Sequence, residues 1–213
     1  MKPPTVNEAA SESLLSLAMD DFLSRTGDRV PTPGGGAVAS AAAALAVALS
    51  RMVTAYSIGP KTSPEDRTQL EGTAQRLERL DGICRRLIDE DAAAYEVYAA
   101  AARQVRLQEA PRETLQQAAR LAIAVPLETQ AMTVSLLRLL DEHKTLFATV
   151  MRSDLAVSAH LALAACKAAR ETALINVCDL EFESERTHIY EQSDQFITTA
   201  GTLSEQIVSF VHR

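Results

Sequence analysis

Residues 31–52 read PTPGGGAVASAAAALAVALSRM: a proline, three glycines, and then a run made almost wholly of alanine and other small residues. Alanine is the best helix former, so the run is a helix. A helix this bare must lie close to a neighbour, because only close approach of the axes fills the space its missing side chains leave. The glycines at its start serve a second purpose equally well. Free amides at a helix N-terminus suit a carboxylate or a phosphate. No Gly-Lys-Ser/Thr follows and no strand precedes, so this is not a phosphate loop of the Walker type.

The rest of the 213 residues supports helices throughout. Hydrophobic residues make up 47% of the chain but aromatics only 4%, so alanine and leucine carry the core and favour helix over strand. Eight Gly and eight Pro are too few for a protein built on tight turns. A net charge of -7 argues against nucleic acid as the main partner, since phosphate backbones need a basic surface. Cys84, Cys166 and Cys178 are odd in number and match no zinc spacing, which fits reduced thiols in a cytoplasmic protein. The N-terminus lacks the apolar core of a signal peptide, and the run at 37–50 is too short for a membrane span.

Breakers divide the chain. Residues 1–8 form a loose tail, and residues 9–213 a single all-α domain. Helical periodicity begins near Glu8, and TGDRVPTPGGG interrupts it. A second helix spans about Gly36 to Tyr56. After SIGPKTSPED, with Ser63 as N-cap and Pro64 at the first helical position, a third runs to about Val105. Forty residues make about 60 Å, so a bend or a protruding end is expected, with Gly72 and Gly82 as weak points. Further helices span Pro111–His143 with Pro126 inside, 153–178, and 181–211 with Gly201 inside. The expected architecture is a bundle of long antiparallel helices, with the small-residue helices central and an apolar face left to pair with a second copy as a homodimer.

One carboxylate stands in an apolar seam. Leu77, Leu80, Cys84, Leu87, Asp91, Ala94 and Tyr98 recur every three or four residues along one helix face. Asp89 lies about 200° around from Asp91, on the side of Arg85 and Arg86, where an exposed charge belongs. Two readings of Asp91 stay open. It faces an internal cleft as an acid or base whose pKa burial raises, or it sits at the seam's edge, paired with an arginine or exposed. Tyr95 and Tyr98 line the same cleft or are ordinary core. Ser153 or Asp154 caps the following helix or contacts a polar ligand. Asn176, in the apolar run ALINV, binds a ligand or a neighbouring helix. Lys61 is solvated or adds positive charge near a site.

Taken together, PTPGGGAVASAAAALAVALSRMV, IDEDAAAY, AVPLE, RSDLAVSAHLALAA and ALINV resemble, in order and spacing, the C-terminal domain of formiminotransferase-cyclodeaminase and the related stand-alone methenyltetrahydrofolate cyclohydrolases. The resemblance covers roughly residues 14–180. It implies an all-α dimer acting on a tetrahydrofolate derivative at the one-carbon bridge between N5 and N10, with no metal and no further cofactor. Hydrolysis of 5,10-methenyltetrahydrofolate to 10-formyltetrahydrofolate is the first expectation. The alternatives are a formiminotetrahydrofolate cyclodeaminase that releases ammonia, or an inactive folate-binding or scaffolding relative.

Carried over by that resemblance, catalysis falls on the D-x-D-A segment, Asp89 and Asp91, with the helical face favouring Asp91. Pro33, Gly34, Gly35 and Gly36 then lie against the ligand. Tyr95, Ser153, Asp154 and Asn176 are further contacts, and Lys61 is a partner for the glutamate tail. Family members often carry Asn where this chain has Thr172. The small-molecule folate and a second copy of the chain are the implied partners, with neither nucleic acid nor membrane.

Overall fold

Alanine-rich periodicity and capping residues place six α-helices in the computed structural model, which describes residues 13–213. They are α1 Met19–Gly27, α2 Gly35–Ser57, α3 Pro64–Arg106, α4 Arg112–His143, α5 Arg152–Leu174 and α6 Glu183–Val211. Single 3₁₀ turns stand at Leu14–Ser16, Thr149–Met151 and Val177–Asp179. Among the described residues there is no strand.

The bare helix is central, as its composition requires. α2 buries Gly36, Ser40, Ala43, Val47, Ser50, Thr54 and Ser57 along one stripe, and α5 buries Ala159, Ala162, Ala165, Cys166, Ala169 and Ala173. The contact between these two helices is the most extensive of any pair among the described residues. Gly35 meets Thr172 at one end of the pair, and the Ala148 amide donates to Ser57 Oγ (2.8 Å) at the other, so α2 and α5 run antiparallel. The buried hydroxyls of Ser50, Thr54 and Ser57 each donate to the carbonyl four residues back, so none is left unpaired in the apolar interior.

α3 starts as the sequence dictates: Ser63 Oγ accepts from the Asp66 amide (3.0 Å), with Pro64 in the first position. Its 43 residues make about 65 Å of helix. It runs through Gly72 and Gly82 without interruption. A buried acid, Asp81, ties it to α2. Asp81 Oδ2 accepts from Arg51 (3.1 Å) and from Arg85 (2.7 Å), while the buried Oδ1 has no protein partner. α4 likewise continues through the buried Pro126 to His143. Just beyond it, Gln130 donates to the Cys166 carbonyl (3.2 Å) and accepts from Ser193 (2.9 Å), linking α4, α5 and α6.

Four expectations change. The first helix was expected from near Glu8; residues 8–12 lie outside the described residues, and α1 begins only at Met19, after the 3₁₀ turn and an extended Leu17. Neither Ser153 nor Asp154 caps α5. The preceding 3₁₀ turn runs straight into it through Met151, so both side chains fall within the first turn. α5 ends at Leu174 rather than 178, leaving Asn176 in the connection. Finally, α2 extends to Ser57, so α2 and α4 are each long and apolar enough by length and composition to cross a bilayer, although 56% and 61% of the respective apolar windows are buried in protein.

Candidate functional site

Three helices meet where the glycine run opens α2. Gly34 is the extended residue before the helix, and the Gly35 and Gly36 amides, in the first turn, have no intrahelical carbonyl to bond. On one side stands the middle of α3, on the other the end of α5. Together they enclose a cleft of about 340 Å³, lined from the loop by Thr32, Gly34, Gly35 and Gly36, from α3 by Asp91, Tyr95 and Tyr98, and from α5 and its exit by Thr172, Ile175 and Asn176.

The glycines are needed for space. A Cβ on Gly36 would stand 1.9 Å from Asp91 Oδ1, far inside contact distance, and one on Gly35 would stand 3.1 Å from the Thr172 methyl. Gly36 thus lets the acid come directly against the backbone at the start of α2. Burial raises the Asp91 pKa, and the nearby Ala37 amide opposes that rise. Among the described residues, no Lys, Arg or His lines the cleft. Asp91 is therefore the one ionisable carboxylate in a pocket with no lining cation, poised to accept or give a proton.

The other polar groups are already partly committed. Tyr98 donates its phenolic proton to Asp179 (2.6 Å), across from α3 to the last 3₁₀ turn. Burial and this carboxylate push its pKa up to about 12. Thr172 donates to the Ala169 carbonyl (3.0 Å). Asn176 Nδ2 donates to the Thr172 carbonyl (3.3 Å). A carbonyl can only accept, so the amide nitrogen faces it and Asn176 Oδ1 remains an acceptor on a residue that lines the cleft.

The expected residues divide into two groups. Gly34, Gly35, Gly36, Asp91, Tyr95 and Asn176 come together, with buried Pro33 just behind the loop. Asp89 does not join them. It faces the other side of α3, where it is half-buried rather than free, accepting from Ser13 Oγ (2.5 Å) and the Leu14 amide (2.7 Å). Lys61 lies in a surface hollow with Tyr56, Ser57 and Gly59, at the far end of α2. Ser153 and Asp154 open α5 at that same end, since α2 and α5 are antiparallel. The 23 residues from Gly35 to Ser57 place that end about 33 Å from the cleft of the same chain. Ile175 and Asp179 are additions, and Thr172, named in sequence only as a departure from the family, lines the cleft. Thr172 and Ile175 carry no periodic signal of their own, and Asp179 matters only through Tyr98.

The chain is similar to known proteins of one family. The family model for formiminotransferase-cyclodeaminase matches residues 18–195. The formimidoyltransferase-cyclodeaminases of Sus scrofa and Mus musculus are 29% and 31% identical to the chain, over 92% and 83% of it. The chain spans only 37% and 34% of the lengths of those two relatives. The crystal structure of formiminotetrahydrofolate cyclodeaminase from Thermotoga maritima has the same fold, with a TM-score of 0.85 at 23% identity, covering 92% of this chain and 96% of that one. Among the described residues, no group of three or more His, Cys, Asp or Glu is placed to hold a metal ion. With the family model covering most of its length, and the glycine loop and Asp91 brought together in one cleft, the chain belongs to the formiminotransferase-cyclodeaminase family.

Proposed function

We propose that the cleft binds a reduced folate and that Asp91 moves the proton in a reaction at the carbon between N5 and N10. The observation that carries this reading is a lone carboxylate against a glycine helix start, in a cleft with no lining cation. Both candidate substrates carry one positive charge spread over an N–C–N unit. A carboxylate without a competing cation attracts that charge, and the charge in turn favours the ionised acid.

In the leading reading, supported by the names of the relatives, 5-formiminotetrahydrofolate cyclises. N10 attacks the protonated formimino carbon and forms the new C–N bond. Asp91 takes the proton from N10 and delivers it to the exocyclic nitrogen. That C–N bond breaks, ammonia leaves, and the 5,10-methenyl cation retains the charge. The barrier falls because the two reacting nitrogens are held together and one acid serves both.

The exposure of Gly35 and Tyr95 at the mouth of the cleft favours hydrolysis as a second reading, because water reaches the site. Water adds to the methenyl carbon and Asp91 takes its proton; Asp91 then returns that proton to N5 as the C–N5 bond breaks, the carbinol hydroxyl releases its own proton to solvent, and 10-formyltetrahydrofolate is left. A spectrophotometric assay of the methenyl chromophore separates the two: it appears with ammonia in the first reaction and disappears in the second. No turnover of either substrate, with folate still bound, contradicts both and makes the chain a binding relative.

The functional unit is proposed to be a cytoplasmic homodimer. Val38, Leu45, Met52 and Tyr56 lie along one side of α2 and stay 38–69% exposed. A second copy covers such a stripe at low cost. Lys61 remains the proposed partner of the glutamate tail, supplied from the far end of a second copy's α2. Ser153 and Asp154, which open α5 at that same end, remain proposed polar contacts on the same terms.

A further inference from the structure

Where α3 faces the end of α5 and its exit, the polar side chains that line the cleft present acceptors. Tyr98 has one proton, and Asp179 holds it at 2.6 Å. With that proton committed, the phenolic oxygen can only accept from a ligand in the cleft that Tyr98 lines. Asn176 adds Oδ1, because its amide is turned to the Thr172 carbonyl. Thr172 has likewise given its proton to Ala169. The glycine loop differs in kind: there the first amides of α2 are donors.

We propose that Tyr98 and Asn176 read the hydrogen-bond donors of the ligand's amino-pyrimidinone ring, and that Asp179 sets this preference by holding the phenolic proton. The inference rests on the folate reading above and adds a ring orientation to it. Tyr98 follows Asp91 by seven residues on α3, two turns or about 10 Å along the helix. With the one-carbon bridge at Asp91, the remote edge of the bicyclic ring points towards Tyr98. That edge carries the exocyclic amino group and a ring N–H, both donors. The phenol stays protonated at neutral pH, with its pKa pushed up to about 12, so the arrangement holds under working conditions. Its ring packs against the apolar cluster of Ala119, Ile123, Val177, Leu180 and Ile189, which fixes where the oxygen points. Tyr98 and Asn176 act on specificity, and Asp179 is a positioning residue that acts through Tyr98.

The test is equilibrium binding of tetrahydrofolate and of its analogue with methyl in place of the exocyclic amino group, to wild type, Tyr98→Phe and Asp179→Ala. Wild type binds the parent roughly tenfold more tightly than the analogue, as expected for one lost hydrogen bond with its partner left unpaired. Tyr98→Phe removes the acceptor. Asp179→Ala removes the carboxylate that holds the phenolic proton, which frees that proton to turn towards the cleft. Each variant brings the ratio of the two affinities to within about threefold. A merely structural role would weaken both ligands equally and leave the ratio unchanged. Full discrimination retained in Asp179→Ala, or equal binding of the two ligands by wild type, overturns this inference and leaves the folate reading standing. Failure of wild type to bind either ligand overturns both.

Discussion

A Cβ on Gly36 would stand 1.9 Å from Oδ1 of Asp91, so the first turn of α2 and the acid of α3 occupy positions that only glycine permits. Gly36→Ala must therefore displace the carboxylate. Misplacing a proton-transfer group by about 1 Å costs on the order of 100-fold in rate. We expect that loss in kcat with the helical circular dichroism unchanged. Wild-type kcat in the variant would show that the contact is irrelevant to turnover.

Gly72 and Gly82 lie inside α3, where an added Cβ meets nothing within 4 Å. Alanine there keeps the helix and removes freedom from the unfolded chain. Each substitution is expected to stabilise by about 0.5–1 kcal/mol in denaturant unfolding, with activity unchanged. Gly36→Ala moves stability in the other direction, so the three variants separate glycines kept for space from glycines that are merely tolerated.

The pH dependence of Asp91 follows from its burial. Its folded pKa is raised above the ordinary 3.8, so between 3.8 and the raised value the folded protein binds the extra proton. Stability from this group is present below that window and is lost as pH rises through it. Asp91→Asn removes the ionisation. The ligand-free variant is expected to be more stable than wild type at neutral pH, and to lack this group's share of the decline in thermal midpoint as pH rises above 3.8. Equal stability of the two proteins across that range would mean that the carboxylate carries no desolvation cost.

Asp81 is a second buried acid with a different role. Two half-exposed guanidiniums share its Oδ2, so it joins α2 to α3 rather than serving the cleft. Asp81→Ala is expected to cost about 1.5–3 kcal/mol of unfolding free energy, the worth of hydrogen bonds to a charged group. kcat should not change. A large fall in kcat at unchanged stability would assign Asp81 a part in the reaction.

The exposed stripe on α2 gives a test of assembly. Leu45 is 51% exposed in the middle of that stripe. The wild-type protein is expected to sediment as a dimer and Leu45→Arg as a folded monomer, because a charge at the centre of an apolar interface has no partner. A wild-type monomer at micromolar concentration would contradict the dimer.

Much of this was legible in the chain itself. The alanine run identified the central helix, Ser63-Pro64 marked the start of α3, and the seam of leucines singled out Asp91, because each depends on local periodicity or capping. Helix direction and distant partners do not. Asp89 lies two residues from Asp91, yet its partners, Ser13 and Leu14, come from 75 or more residues away. Lys61, Ser153 and Asp154 lie at the opposite end of the same chain because α2 and α5 run antiparallel, which no local pattern tells. Asp81 pairs with Arg85 one turn on along its own helix, but Arg51 meets it only once α2 packs against α3. Asp179 was invisible for the same reason: its meaning lies in Tyr98, 81 residues earlier.

The central claim is that Asp91 moves the proton, and one measurement bears on it most directly. Purified wild type and Asp91→Asn are assayed with 5-formiminotetrahydrofolate and with 5,10-methenyltetrahydrofolate, following the methenyl absorbance and released ammonia, with folate binding measured in parallel. The account predicts turnover of one of these substrates by wild type, and a loss of roughly 100- to 10,000-fold in Asp91→Asn with binding retained. Turnover by Asp91→Asn at the wild-type rate would contradict it.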